Sequence, residues 1–238
     1  MKHVLSYGGG VNSSALFFYI LQKKLPLDIV IFADTGEETK ETYNAVNRMK
    51  SCCKKANVEF VTAKSDKGRL VDYYMMKKAV PSIMKRDCTS KFKVAPIRKY
   101  LRGRFGKKET FGQYIGIAWD ELHRAVISDV KYITNLYPFI DARIKRDGNQ
   151  EIIDQNNFKA SKSGCAGCMF MNKNGFMKLK KIDPVDFKRW MAMEENGSRY
   201  PEITLNPKFQ LRGIWEQTVL FDDDTDDDPG CGSINCFL

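Results

Sequence analysis

No run of eighteen apolar residues occurs in this 238-residue sequence, so no membrane-spanning helix is expected. The N-terminus lacks a basic stretch followed by a long apolar one. A secretory leader is therefore not expected, and the expected location is cytoplasmic with no membrane partner. No segment repeats. Two common nucleotide fingerprints are missing: there is no G-x-x-x-x-G-K-S/T, and no G-x-G-x-x-G leading to a ribose-binding acid. Histidine is scarce, with two in the chain, and the isolated His123 reads as structural. Seven cysteines, an odd number in a chain read as cytoplasmic, argue against a disulfide framework and for metal or redox chemistry.

What is present supports a sizeable core. The chain is 43% hydrophobic and long enough for one large α/β domain, or one domain with a small appendage. The net charge is +10 even though six aspartates (Asp222, Asp223, Asp224, Asp226, Asp227 and Asp228) form an acidic block near the C-terminus. The rest of the chain is more basic still, which suits nucleic acid or a small polyanion as partner; a merely solvated basic surface is the plainer reading.

The first fourteen residues are the most informative. His3–Tyr7 reads as a buried strand, Gly8, Gly9 and Gly10 follow, and Ala15–Leu21 opens a helix. Glycines let the backbone approach a phosphate, and the N–H groups at a helix start favour an anion. Ser6, Ser13 and Ser14 add hydroxyls. Further along, strands are expected at 28–33, 58–63 and 113–118, and helices at 39–55, 70–76 and 94–101. Residues 81–91 show no periodicity and read as a loop. The alternation predicts an α/β fold: a parallel sheet with helices on both faces and its ligand at the C-terminal strand ends. Residues 1–149 are read as that domain. Residues 150–238 are read as a smaller cysteine-bearing region with helices at 172–181 and 184–195 and an irregular stretch from Pro201.

The run from Ser6 to Ser14 resembles the PP-loop of adenine-nucleotide α-hydrolases, usually S-x-G-G-x-D-S. Phe32-Ala33-Asp34-Thr35-Gly36-Glu37-Glu38-Thr39-Lys40-Glu41-Thr42 resembles the F-x-D-T-G-x-E-x-x-E-T segment of the phosphoadenosine phosphosulfate (PAPS) reductase family. Gly116–Arg124 is similar to the G-x-R-x-x-E/Q-S-x-x-R stretch of that family, with Ala118 at the arginine position, Leu122 at the serine, and a final spacing one residue shorter. Tyr137-Pro138-Phe139 is similar to its Y-P-L/I segment. The resemblance covers residues 1 to about 195. It implies a five-stranded Rossmann-like adenine-nucleotide α-hydrolase sheet. It also implies phosphate held by Ser6, Gly8, Gly9, Gly10, Asn12, Ser13 and Ser14, and adenosine beside Asp34, Thr35 and Gly36. Arg124 would neutralise the far anion with Lys91 and Lys93, and Glu121 would orient Arg124 or bind a metal. The plainer reading of this segment is a helix start capped by Asp120, with Arg124 paired to it.

Gly164-Cys165-Ala166-Gly167-Cys168 is a C-x-x-C knuckle, by itself compatible with zinc, iron–sulfur or a redox pair. Asp87-Cys88 lies far upstream. Adenylylsulfate reductases of the resembled family carry adjacent cysteines, a long gap, then C-x-x-C, and hold a [4Fe–4S] cluster. The resemblance makes Cys88, Cys165 and Cys168 ligands of such a cluster, with zinc as the alternative. Asp87, Cys231, Cys236 or an exogenous sulfur is left for the fourth position. Cys52 and Cys53 read as structural.

Two departures leave the reaction open. Val11 and Asn12 stand where ATP pyrophosphatases keep a base and an acid, which weakens the case for Mg2+. The reductases' terminal E-C-G-L/I-H is absent, and Cys231 and Cys236 stand in the tail instead, as candidate nucleophiles. The expectation is an enzyme that binds an adenine nucleotide and acts at its α-phosphoryl or sulfuryl group, with a thiol or sulfur donor. ATP-dependent sulfur transfer to tRNA or DNA, and a non-catalytic nucleotide- or nucleic-acid-binding module, are the alternatives.

Overall fold

The computed structural model describes residues 1–83, 86–197 and 203–217. Cys231, Cys236 and the acidic block lie outside the described residues. Elements follow in the order β1 (Lys2–Tyr7), α1 (Val11–Gln22), β2 (Ile29–Asp34), α2 (Lys40–Lys55), β3 (Glu59–Lys64), α3 (Leu70–Met76), α4 (Asp87–Thr89) and α5 (Ala95–Phe105). Then come β4 (Phe111–Ile115), β5 (Ile133–Leu136), α6 (Pro138–Asp141), α7 (Arg146–Gln155), α8 (Lys173–Ile182), α9 (Pro184–Gly197) and α10 (Leu211–Glu216).

The strands make one parallel sheet in the order β3-β2-β1-β4-β5. Val4 lies beside Ile29 on one side and Gln113 on the other. The order reverses at β1 and β4, so the ligand crevice of such a sheet falls beyond Tyr7 and Ile115. The parallel α/β sheet is the one expected from the alternation, and its five Rossmann-like strands are those the family resemblance implies. Successive strand residues serve opposite faces. Leu5, Val30 and Phe32 pack with α1, α2 and α7, while Val4, Ile29 and Ile31 pack with Ile97 and Leu101 of α5.

A third apolar cluster sits apart from the sheet. Trp190, Phe187 and Met193 of α9 join Phe176 of α8, Leu211 and Ile214 of α10, and Leu70, Val71 and Tyr74 of α3. Full burial of such side chains stabilises by about 1.5–3 kcal/mol each. The cysteine-bearing region is thus sealed onto the sheet domain through α3. The sequence boundary at 149/150 falls inside α7, which packs along α1.

Three local expectations are corrected. Residues 87–105 are continuously helical, with a π-helical turn over Ser90–Val94 joining α4 to α5, where a loop was expected as far as Lys91. The fourth strand ends at Ile115, and the next three residues leave the sheet. A helix, α10, occupies part of the stretch after Pro201.

Cys53 is fully buried among Tyr7, Met49 and Phe60, and burial pushes its thiol up to about 12. Iodoacetamide at neutral pH is expected to leave Cys53 unlabelled in the native protein and to label it after unfolding. Peptide mass spectrometry checks this; native labelling as fast as in denaturant would contradict the packing.

Candidate functional site

The glycine loop owes its shape to close approach. Gly9 has φ +79°, and a Cβ there would lie 2.7 Å from Cγ2 of Thr42. Gly10 precedes α1 without a side-chain cap, which leaves the first-turn N–H groups to be met from outside the helix. Gly116 lies against this turn across the switch point: a Cβ would stand 2.9 Å from both Asn12 C and Ser13 N. Both are backbone atoms, so the α1 start would have to move. Gly116→Ala is expected to cost about 1–3 kcal/mol, read from urea unfolding; unchanged stability would mean that the turn yields freely.

Two cavities meet at Ser6. One, of about 320 Å³, runs between the sheet and the α5 side, past Gly8, Phe32, Ala33, Lys93, Ile97 and Asn135. The other, of about 470 Å³, is lined by Gly10, Val11, Asn12 and Ser13 of the α1 start, with Gly116, Glu121, Arg124, Arg146 and Lys162. Arg124 is buried, at 5% exposure. Its Nη1 donates to Glu121 Oε1 at 2.5 Å, and its Nε is buried without a partner. Glu121 Oε2 accepts from Asn12 Nδ2 at 2.8 Å, and Asn12 Oδ1 accepts from Asn149 Nδ2 at 3.0 Å. The Arg124–Asp120 pair of the plainer reading is not formed: Asp120 binds Arg146 instead, at 2.7 Å.

The other predicted residues have partners of their own. Ser14 faces the core, bonded to Tyr7 Oη at 3.1 Å and donating to Gly10 O at 2.8 Å. Ser13 Oγ accepts from Gly8 N at 3.2 Å and thereby braces the loop. Asp34 accepts from Gly36 N and from Tyr43 Oη, at 2.9 and 2.8 Å, and so shapes the turn after β2. Thr35 is buried beside Cys165. Lys91 pairs with Asp87 and Lys93 with Glu38. Lys93, unlike Lys91, lines the smaller cavity.

The knuckle is brought to the end of β2 by backbone pairing. Glu38 bridges Cys165 antiparallel, Thr39 N donates to Gly164 O at 3.1 Å, and Ala166 N donates to Glu37 O at 2.8 Å. Cys88 comes in from α4, close enough to Cys168 to interact electrostatically with it, and Lys93 interacts with all three thiols. Burial alone would lower the Lys93 ammonium. Glu38 and the thiols outweigh it and hold Lys93 above its ordinary value. Burial pushes Cys168 up to about 11 and Cys165 well above the ordinary thiol range. Cys165 and Cys168 open onto a third cavity, of about 750 Å³, bounded by α8 and α9. Lys162 and Ser163 form the partition between it and the Arg124 cavity.

The donor set suits a soft metal centre: the Cys88, Cys165 and Cys168 thiols surround Lys93, and the Glu38 carboxylate lies next to Cys165 with one oxygen, Oε2, buried without a partner. Among the described residues no three His, Cys, Asp or Glu side chains converge as one ion would require. A cluster distributes its thiolates over separate irons and needs no such convergence.

Some of the site was not anticipated. Glu37, fully enclosed, is clamped by Arg189 through two bonds of 2.7 and 2.8 Å, and Arg69 joins at 3.3 Å. Arg86, in a left-handed backbone conformation at φ 47°, lies over the Phe170 ring and interacts with Cys88, Cys168 and Arg124. Arg146 and Lys162 were equally unforeseen. The Glu37–Arg189 pair spans 152 residues of sequence, so no local pattern announces it.

The fold and the glycine loop define a Rossmann-like α/β domain built on a five-stranded parallel sheet. Residues 2–112 match the model of the phosphoadenosine phosphosulfate reductase domain. Over 230 residues it is 26% identical to an uncharacterized protein, MJ0973, of Methanocaldococcus jannaschii, a match covering 90% of this chain and 51% of that protein. The chain thus spans about half the length of this curated relative. Among solved structures it is similar to the U34-tRNA thiolase NcsA from Methanococcus maripaludis with its [4Fe-4S] cluster. That likeness has a TM-score of 0.44 and 14% identity, covering 84% of this chain and 72% of that one. No helix among the described residues is long and apolar enough to cross a membrane.

Proposed function

We propose that the chain is an enzyme that binds an adenine nucleotide across the two cavities meeting at Ser6 and acts at its α-phosphoryl or sulfuryl group in sulfur chemistry. The observation that carries this reading is the junction itself. A partly apolar cavity at the sheet's end suits adenosine, and a cavity with an uncapped helix start, Arg124, Arg146 and Lys162 suits the polyanion. Gly8 and Gly10 permit close backbone approach on either side of the junction, and Asn12, held by Glu121 and Asn149, fixes the first turn of α1. Cys88, Cys165 and Cys168 would hold the metal centre, which in the iron–sulfur form would supply redox-active iron and sulfide.

A second reading, ATP-dependent sulfur transfer to nucleic acid, is favoured by the basic body of the chain and by the large cavity that opens from Cys165 and Cys168. The two readings differ in product. The first predicts turnover of adenylylsulfate or PAPS. The second predicts AMP and pyrophosphate release from ATP that rises with tRNA or DNA.

Calorimetric titration of ATP, adenylylsulfate and PAPS into anaerobically purified protein tests what both readings share. Saturable binding of at least one, weakened by Ser13→Ala, is expected. Absence of binding by all three would sink both readings, and tight binding without turnover would leave a non-catalytic module.

A further inference from the structure

We propose that Glu38, and not Asp87, supplies the fourth protein ligand to a metal centre held by Cys88, Cys165 and Cys168. The proposal rests on the reading of those three cysteines given above and names the residue that completes the set.

Asp87 is next to Cys88 in sequence, but its carboxylate is already engaged. One oxygen accepts from Tyr74 Oη at 2.5 Å and the other from Lys91 Nζ at 2.5 Å. Recruiting Asp87 would break an ion pair and leave a buried tyrosine hydroxyl without its acceptor, which is costly in a low-dielectric setting.

Glu38 presents the opposite arrangement. Its side chain is fully enclosed. Oε1 is held by Thr35 Oγ1 at 3.0 Å and by Lys93 Nζ at 3.4 Å, while Oε2 is buried with no partner. A buried carboxylate oxygen without a partner carries a desolvation cost that a ligand would remove. One oxygen fixed and one available is what monodentate carboxylate ligation requires, and Thr35 and Lys93 then act as the outer shell that orients it. The Cys165 thiol lies 3.8 Å from Oε1, and the Glu38–Cys165 backbone bridge locks both side chains to one frame. Iron and zinc both accept carboxylate oxygen beside thiolate sulfur. Glu38 is also among the residues lining the cavity that Cys165 and Cys168 line.

The test is anaerobic reconstitution of the full chain with iron and sulfide, comparing wild type, Glu38→Gln, Glu38→Cys and Asp87→Asn. Iron and sulfide content, the electron paramagnetic resonance spectrum of the reduced centre and its midpoint potential are read on each. Wild type is expected to take up a cluster. Glu38→Gln is expected to change the spectrum and raise the potential, because an anionic donor is replaced by a neutral one. Asp87→Asn should leave both unchanged. Glu38→Cys guards against a folding failure in the amide variant: it restores an anionic donor and should give a distinct, all-thiolate spectrum. Clusters with identical spectra and potentials in wild type, Glu38→Gln and Glu38→Cys would overturn the ligand assignment while sparing the cysteine reading. No iron uptake by wild type would overturn the cysteine reading, and the assignment with it.

Discussion

Arg124→Ala is expected to weaken adenine-nucleotide binding by roughly 10- to 150-fold, the equivalent of about 1.5–3 kcal/mol for hydrogen bonds to a charged group. It is also expected to destabilise the unliganded protein by about 3–5 kcal/mol, as removal of one partner of a buried pair does. Both effects have the same origin. Arg124 is buried, shares one bond with Glu121, keeps a buried Nε without a partner, and lines the cavity at the α1 start. Truncation removes the anion's donor and leaves the Glu121 carboxylate in a buried position with Asn12 as its remaining partner. The two effects separate experimentally. Urea unfolding without ligand reads the second, and calorimetric titration of the folded variant reads the first. Arg124→Lys keeps the charge and loses the planar fork, so it should recover part of the stability and less of the affinity. Wild-type affinity in a folded Arg124→Ala protein would remove Arg124 from the binding site.

Arg189→Ala should be comparably severe, about 3–5 kcal/mol, without touching either of the cavities that meet at Ser6. Its guanidinium clamps the enclosed Glu37 carboxylate and also reaches Asp72 at 2.8 Å, so it ties α9 to the turn after β2 and to α3. The loss should depend on pH. Burial raises the Glu37 carboxyl above its ordinary value even though Arg189 and Arg69 oppose the shift. Removing Arg189 raises it further. A carboxyl raised in the folded state favours folding in acid and loses that contribution as pH rises through the folded value. The variant's deficit relative to wild type should therefore be larger at neutral pH than in mild acid, as read by urea unfolding at both. A pH-independent deficit would mean that Glu37 is not the group left exposed to the change.

Much of the fold was legible because its signals are local. Glycines with nothing between them mark the β1–α1 turn, and Thr39 caps α2 by accepting from Thr42 N, so both boundaries can be read from neighbouring residues. What stayed hidden depends on distant partners. The stretch Arg146–Gln155 contains Gly148 and Asn149 and looks weakly helical, yet it forms α7 because Asn149 and Ile153 are buried toward α1. Strand β5 is four residues long and is recognised by its register against β4 more than by its own composition. In the candidate site, the glycine loop, Glu121, Arg124 and the grouping of Cys88, Cys165 and Cys168 could be approached from sequence; that Lys93 stands among the thiols could not. That Asp87 is saturated and Glu38 is not could not. Both are acidic residues beside a motif, and only the neighbours folded against them tell them apart.

The partition formed by Lys162 and Ser163 has a consequence for how such a protein can be inherited. The family match ends at residue 112 and includes the glycine loop, but the cavity beside Arg124 is also lined from residues 116–124, 146–150 and 162–163. A recombination event that copied the matched segment alone would carry the cradle without its walls. The glycine loop and the walls that face it across the cavity thus come from separate stretches of the chain.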